Sequence, residues 1–432
     1  MILFSIPVKN TVLFLAILFN TISCSKIQGD KKVGDANPKD SFSHTIVTSD
    51  IKLNTGDQNE IIVAANRLET YLPLLTDKKV AVVGNQTSVI FKNNQTQKDP
   101  LPFTHIVDSL LRRNVNISKV FAPEHGFRGK QDAAEVVVDG KDAVTGLPII
   151  SLYGKNKKPT PKMMEGVDIV LFDIQDVGVR FYTYLSTLHY VMQSCAENNI
   201  PLIVLDRPNP NISYVDGPVL DPQYSSFVGM HPVPLVYGMT IGEYAQMING
   251  ENWLGGGLKC NLQVVSLKNY NRQKEYHVPI RPSPNLPNDQ SIMLYPSLGL
   301  FEGTTVNAGR GTEMQFQIFG SPYLPKEIYS FTYTPEPNFG SKNPKYKSKN
   351  CFGKDLRKTE RVRKVDLTWL MDAYKHSTNK KDFFNTASFT IHAGTKELQK
   401  NIVDGVSLKE IEKTWQADLK SFKKIREKYL LY

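Results

Sequence analysis

The sequence predicts an α/β fold: a doubly wound parallel sheet with helices on both faces, followed by a smaller part of mixed pattern. Three observations carry that reading. Apolar, β-branched runs recur through the first half, each ending in polar or glycine residues, as strands buried on both faces of a parallel sheet do. Amphipathic helical stretches lie between them. A proline-rich segment, "VPIRPSPNLPND" (Val278–Asp289), then breaks regular structure, and the pattern beyond it is mixed.

In chain order the expected strands are "KVAVVGN" (Lys79–Asn85), "SKVFAPE" (Ser118–Glu124), "LPIISLYG" (Leu147–Gly154), "VDIVLFDIQD" (Val167–Asp176), "IPLIVLDRPNP" (Ile200–Pro210) and "LQVVSL". In "FTHIVDSLLRR", Phe103, Ile106, Val107, Leu110 and Leu111 share one helical face. Leu188, Val191, Met192 and Cys195 do so in "LSTLHYVMQSC". Thr240 and Glu243 of "TIGE" form a capping box, and Gly250 is placed to end that helix. "DLTWLMDAYKH" reads as a helix capped by Asp366. One long helix from Ser407, with Glu410 completing its capping box, buries Leu408, Ile411, Trp415, Leu419 and Phe422. The apolar "YLLY" end is expected to be docked.

The first residues read as a targeting segment. Lys9 precedes an apolar run, Thr11–Phe19, too short to span a membrane, and "NTISCSK" follows. Residues 1–23 are a signal peptide, with either acylation of Cys24 or ordinary secretory cleavage behind it. Residues 24–56, polar and rich in Lys, Asp, Ser and Asn, are a tether. The folded chain divides into 57–275 and 276–432. Loss of Lys9 takes the net charge from +10 to +9. The basic excess is spread rather than focused on a patch with aromatics, which argues against nucleic acid and fits an anionic envelope or polymer. Three cysteines remain after Cys24, an odd count that does not suggest a disulfide framework.

Ligands of open α/β sheets bind beyond the carboxyl ends of the strands. Asn85, Gln86 and Thr87 follow the first strand; Glu124, His125 and Arg128 the second. Asp173, Gln175, Asp176 and Arg180 follow the fourth; Asp206, Arg207 and Asn209 the fifth. Each cluster alone also reads as caps and turns, and Arg128 also reads as a partner of Asp132. "GNQTS" is neither GxGxxG nor a Walker loop, so a nucleotide is disfavoured, and no cofactor is expected. No HExxH or GxSxG occurs, so a zinc site would have to be assembled around His125 from distant loops. Carboxylate chemistry remains. Glycoside hydrolysis uses a protonated and an ionised Asp or Glu, and Glu124 sits on a tight turn between Pro123 and Gly126. A second constellation, Tyr295–Pro322, holds "GRG", with Glu302 and Glu313 flanking it and Thr304, Thr305 and Asn307 as donors. Its Arg310 suits an anionic group such as a carboxylate. Tyr182 and Tyr184 would serve equally as a sugar-stacking wall or as a core face.

"APEHGFRG", "DIQDVGVRFYTY", "DRPNP", "SFVG", "YGMTIGE", "RPSPN", "YP" with "FEGT", "GRGT" and "KYLLY" occur in this order. Together they resemble the DUF1343 family, which includes exo-β-N-acetylmuramidases, over about residues 60–432. The resemblance implies a Rossmann-like N-terminal domain, a C-terminal α/β domain and an active cleft between them. It implies release of N-acetylmuramic acid from non-reducing ends of peptidoglycan fragments; from the scattered histidines no metal is expected. Glu124 is then the catalytic glutamate of "EHG", with Asp176, Glu302 or Glu313 as partner. Asn85, His125, Arg128, Arg180, Tyr182, Asp206, Arg207, Arg310 and Glu313 are expected to contact the saccharide, with Arg310 on its lactyl carboxylate. One departure is "VNAGRGT", where the family pattern has a serine near Asn307 or Ala308. The expected setting is the cell envelope, with Cys24 as the membrane anchor. The rival readings are a non-catalytic glycan-binding lipoprotein and a metal-dependent amidase or deacetylase on the same polymer.

Overall fold

Seven strands make the central sheet: β1 (Val80–Gly84), β2 (Ile117–Ala122), β3 (Gly140–Lys141), β4 (Pro148–Ser151), β5 (Ile169–Asp173), β6 (Leu202–Leu205) and β7 (Leu262–Val265). The structure is a computed structural model that describes residues 60–94, 102–129 and 139–432. The expected signal peptide, Cys24, the tether and Asp132 lie outside these. The strands run in the order β7-β6-β5-β1-β2-β4-β3. Every neighbouring pair is parallel except β3–β4. Without that antiparallel edge, the order is that of a doubly wound dinucleotide-binding sheet, and the winding reverses between β1 and β5.

The central strands β1, β5 and β6 are buried at every position because both faces are covered. Val80, Val82, Val120, Ile169, Leu171, Ile203 and Leu205 enter one core, and Ala81, Val83, Phe121, Val170, Phe172, Leu202 and Val204 enter the other. Alternate side chains of a strand point to opposite faces, so each strand feeds both. Helix α1 (Ile106–Leu111) packs in the first core; α2 (Tyr184–Glu197) and α3 (Ile241–Gly250) pack in the second. Leu188, Val191, Met192 and Cys195 of α2 are all buried, as their spacing predicted. The Thr240–Glu243 capping box is made in both directions.

Two local expectations are corrected. Residues 103–105 are a strand paired with 89–91, so Phe103 is exposed and the helix starts only at Ile106, with His105 at its N-cap. Helix α3 ends at Gly250 as expected, with Glu251 as its C-cap, and Gly250 also leaves room for the Tyr429 ring, whose hydroxyl would sit 2.2 Å from an added Cβ. The final helix is two, Leu408–Thr414 and Gln416–Arg426. They break at Trp415, whose indole N–H donates to Asp216 at 3.2 Å. The chain end is docked: Tyr432 donates to Asp206 at 2.8 Å, and the Leu431 N–H donates to Glu243.

Beyond the proline-rich segment, helix α4 (Asp289–Leu298) runs into a 3-10 turn, Gly299–Gly303. A small antiparallel sheet follows, with β8 (Ile318–Ser321) and β9 (Phe331–Tyr333) on either side of β10 (Cys351–Asp355). Helix α5 (Thr386–Ala393) packs on the 3-10 turn. Residues Thr55–Tyr432 belong to one unit.

Candidate active site

Strand β2 ends at Ala122, and the chain turns at once. The Gly126 N–H bonds the Pro123 carbonyl at 3.0 Å, and His125 is held at φ 69°. A non-glycine residue in that left-handed region costs about 1 kcal/mol or more, a strain that collects at functional sites. The turn sets Glu124 in the wall of a cavity of about 180 Å³. Thr183 donates to Glu124 Oε2 at 2.6 Å, and Tyr153 lines the same cavity. Behind it, Asn85 donates to the Tyr184 hydroxyl at 2.8 Å, and that hydroxyl reaches the Glu124 backbone carbonyl at 3.4 Å. Asn85 therefore braces the turn without lining the cavity.

The opposite wall is Glu302, Arg310, Tyr295, Phe316 and His392. Glu302 rides on the 3-10 turn and accepts from Arg310 Nε at 2.9 Å. "GRG" is needed for this. Gly309 and Gly311 have φ of 79° and 80°, and a Cβ on Gly309 would lie 2.5 Å from the Met314 carbonyl. Asn307 locks the same turn. Its Oδ1 accepts from the Gly309 N–H at 2.6 Å, and its Nδ2 donates to the carbonyls of Arg310 and Lys345. The Asn307 amide thus serves the backbone. Burial pushes the Glu302 carboxyl up, but Arg310, then Lys345 and His392, outweigh it and hold it at about 2. Glu302 is a fixed negative charge at neutral pH.

Of the predicted residues, the structure brings Glu124, His125, Tyr182, Glu302 and Arg310 to this cavity. Tyr182 contributes its ring, since its hydroxyl is committed to the Pro282 carbonyl at 2.7 Å. The others line neither this cavity nor the one of about 280 Å³ beside it, and all but Glu313 have a structural partner. Arg128 stacks on Phe127 and grips Asp142 through two nitrogens, at 2.7 and 3.0 Å, and Asp108 at 3.1 Å. Arg180 donates to the carbonyls of Pro218, Val233, His392 and Ala393. Arg207 forms a buried pair with Asp173, at 2.6 and 2.8 Å. Asp206 caps α3 through Thr240 and Gly242. Asp176 is enclosed by Tyr237 and the Gly178 N–H, and burial raises it to about 6. Glu313 is exposed on the surface. The physical reason is common to most of them: strand-end loops of a covered sheet bury backbone polar groups that need partners.

Sequence reasoning missed Thr183, Tyr153, Asn285 and His392. Thr183 and Asn285 lay inside "FYTY" and "RPSPN", where polar residues among aromatics and prolines were a signal. Tyr153 and His392 carried none. Among the described residues, no group of three or more His, Cys, Asp or Glu is placed to hold a metal ion.

The family model described as "Exo-beta-N-acetylmuramidase NamZ, N-terminal" matches residues 80–290, and its C-terminal counterpart matches 293–432. The chain belongs to the NamZ family. It is 36% identical over 384 residues to the "Peptidoglycan beta-N-acetylmuramidase NamZ" of Bacillus subtilis (strain 168), covering 84% of this chain and 89% of that protein. Two crystal structures of DUF1343 family proteins from Bacteroides fragilis NCTC 9343 share the fold. One is 41% identical with a TM-score of 0.76, covering 86% of this chain and 99% of its own. The other is 28% identical with a TM-score of 0.72, covering 87% and 99%. The cavity draws its walls from both NamZ matches: Glu124 and Thr183 from the first, Glu302, Arg310 and His392 from the second.

Proposed function

We propose that this NamZ family member is an exo-acting glycoside hydrolase that releases N-acetylmuramic acid from non-reducing ends of peptidoglycan fragments. The observation that carries the reading is one cavity with two differently held carboxyls. Glu302 is kept ionised beside Arg310, while Glu124 accepts from the neutral hydroxyl of Thr183. Two carboxyls in unlike environments are the requirement for glycoside cleavage.

Glu302 stays a carboxylate at neutral pH, and the proton-donor role is assigned to Glu124, the other carboxyl of the cavity wall. Its proton goes to the glycosidic oxygen as the bond from the anomeric carbon to that oxygen breaks. The Glu302 charge stabilises the positive charge that develops on the sugar. Water then supplies the hydroxyl to the anomeric carbon, and its remaining proton returns to the Glu124 carboxylate. The rings of Tyr182 and Phe227 in the cavity wall offer apolar faces to the sugar. The same reading puts the mature chain outside the cytoplasm, held to a membrane through Cys24 if that residue is acylated; Lys9, the apolar run and the residues before Cys24 support it.

The test is incubation of the purified protein with a chromogenic β-N-acetylmuramide and its N-acetylglucosamine counterpart, with and without EDTA. Release from the muramide alone, unaffected by EDTA, is expected. Release from neither, with saturable binding, would favour a glycan-binding protein. Loss with EDTA would favour a metal-dependent enzyme.

A further inference from the structure

Next to the catalytic cavity lies a second one of about 280 Å³, and the two share Glu302 and Arg310 as a common wall. No step of the bond cleavage uses it. Its formal charges are two cations, Arg310 and Lys345, and one carboxylate, Glu302, which leaves one positive charge over. Lys345 is not a free ligand group. Its Nζ donates to the carbonyls of Phe301, Glu302 and Thr304, at 3.0, 3.1 and 2.8 Å, so its charge is fixed in place at the end of the turn that carries Glu302.

Three donors in this wall are uncommitted. Arg310 spends Nε on Glu302, and among the described residues its two terminal nitrogens make no hydrogen bond. Ser341 is only 8% exposed, yet its hydroxyl has no partner among the described residues. The Asn343 amide has none either. The hydroxyl opens onto the cavity and is available to a ligand oxygen. The segment carrying Ser341 is held rigidly. Asn338 Oδ1 accepts from the N–H groups of Gly340 and Ser341, at 3.1 and 3.0 Å, and Asn285 of the catalytic cavity donates to the Gly340 carbonyl at 2.6 Å. Donors preorganised around one excess positive charge suit a monoanion with two acceptor oxygens.

We propose that the second cavity is a carboxylate pocket, in which Arg310, Ser341 and Asn343 together receive the lactyl carboxylate of the sugar whose anomeric carbon faces Glu124. This rests on the muramidase reading for the identity of the anion, and adds Ser341 and Asn343 as the residues that set specificity. The pocket reads the one group that distinguishes N-acetylmuramic acid from N-acetylglucosamine.

Calorimetric binding to the full chain tests it without requiring turnover. The ligands are N-acetylmuramic acid, its methyl ester and N-acetylglucosamine; the proteins are wild type, Ser341→Ala, Asn343→Ala and the double variant. A hydrogen bond to a charged group contributes about 1.5–3 kcal/mol, or roughly tenfold or more in affinity. Each single variant is expected to lose about that factor for the acid and little for N-acetylglucosamine. The ester should bind wild type about as weakly as the acid binds the double variant. Asn343 is exposed, so its variant keeps the test valid if Ser341→Ala fails to fold. Equal binding of acid and ester, or a double variant that binds the acid as wild type does, overturns the proposal. A protein that binds the acid selectively but cleaves no muramide would remove the enzymatic reading and leave the pocket. One that cleaves the muramide but binds acid and ester equally would do the reverse.

Discussion

Replacing Arg310 with methionine removes the largest favourable charge acting on Glu302 and keeps most of the side chain's volume. The Glu302 carboxyl is held at about 2 against an ordinary 4.5, a gap that corresponds to about 3 kcal/mol of folding free energy. Both side chains remain about a quarter exposed, 24% for Arg310 and 25% for Glu302. Solvent screening therefore trims the expected loss to roughly 2 kcal/mol. The sign follows from linkage. The folded value lies below the unfolded one, so this stabilisation is present above pH 4.5 and is lost as pH falls through about 2. Arg310→Met should therefore be less stable than wild type by about 2 kcal/mol at pH 7, and the difference should shrink steadily below pH 4.5. Urea unfolding at a series of pH values measures it. With Arg310 gone, burial is opposed only by Lys345 and His392, so the acid limb of kcat/KM should also move to higher pH. A stability difference that is the same at pH 7 and pH 3, with an unmoved acid limb, would refute the argument that Arg310 keeps Glu302 ionised.

Three other consequences are open to measurement. Thr183→Val deletes the 2.6 Å bond to Glu124 at nearly constant volume and should lower kcat about tenfold with little change in KM; steady-state kinetics on the muramide checks it. Arg180→Met leaves the carbonyls of Pro218, Val233, His392 and Ala393 without their donor; a loss of about 3 kcal/mol in urea unfolding is expected, and a loss under about 0.5 kcal/mol would contradict its role as a staple. His189 bonds the buried His231 at 2.9 Å, and burial lowers His189 to about 4. The unfolded chain takes up its proton near 6.5, so this histidine's contribution to stability falls as pH drops from about 6.5 toward 4. His189→Phe should flatten the corresponding part of the Tm–pH curve.

The fold was legible where local chemistry decides it. Val80–Gly84 or Leu202–Leu205 has little choice: every residue is apolar, so both faces must be covered, and the helices between the strands must do the covering. The Thr240–Glu243 box is equally local. Legibility ended where a distant partner decides. Residues 103–105 have a helical spacing, but pairing with 89–91 satisfies their backbone first. Trp415 sits within a helical pattern, yet Asp216, far away in sequence, takes its indole N–H.

The site divides in the same way. Glu124 stood out because proline and glycine flank a carboxylate at a strand end, and Arg310 because two glycines flank it. Arg180, Arg207 and Asp206 looked alike from the sequence, being polar groups at carboxyl ends of strands. Whether a guanidinium faces a cavity or four backbone carbonyls depends on chain segments as distant as residues 392 and 393, and no local pattern encodes that. His392 and Tyr153 reach the cavity by the same long-range route, and so were invisible until the chain was folded.

The most direct test of the central claim is the activity of Glu124→Gln on the chromogenic β-N-acetylmuramide. Glutamine keeps the shape of the side chain and can still pair with the Thr183 hydroxyl, but has no proton to donate. The account predicts a fall in kcat of about 10²-fold to 10⁴-fold, with an unchanged Tm and retained binding of N-acetylmuramic acid. A Glu124→Gln protein that releases N-acetylmuramic acid at the wild-type rate would contradict it.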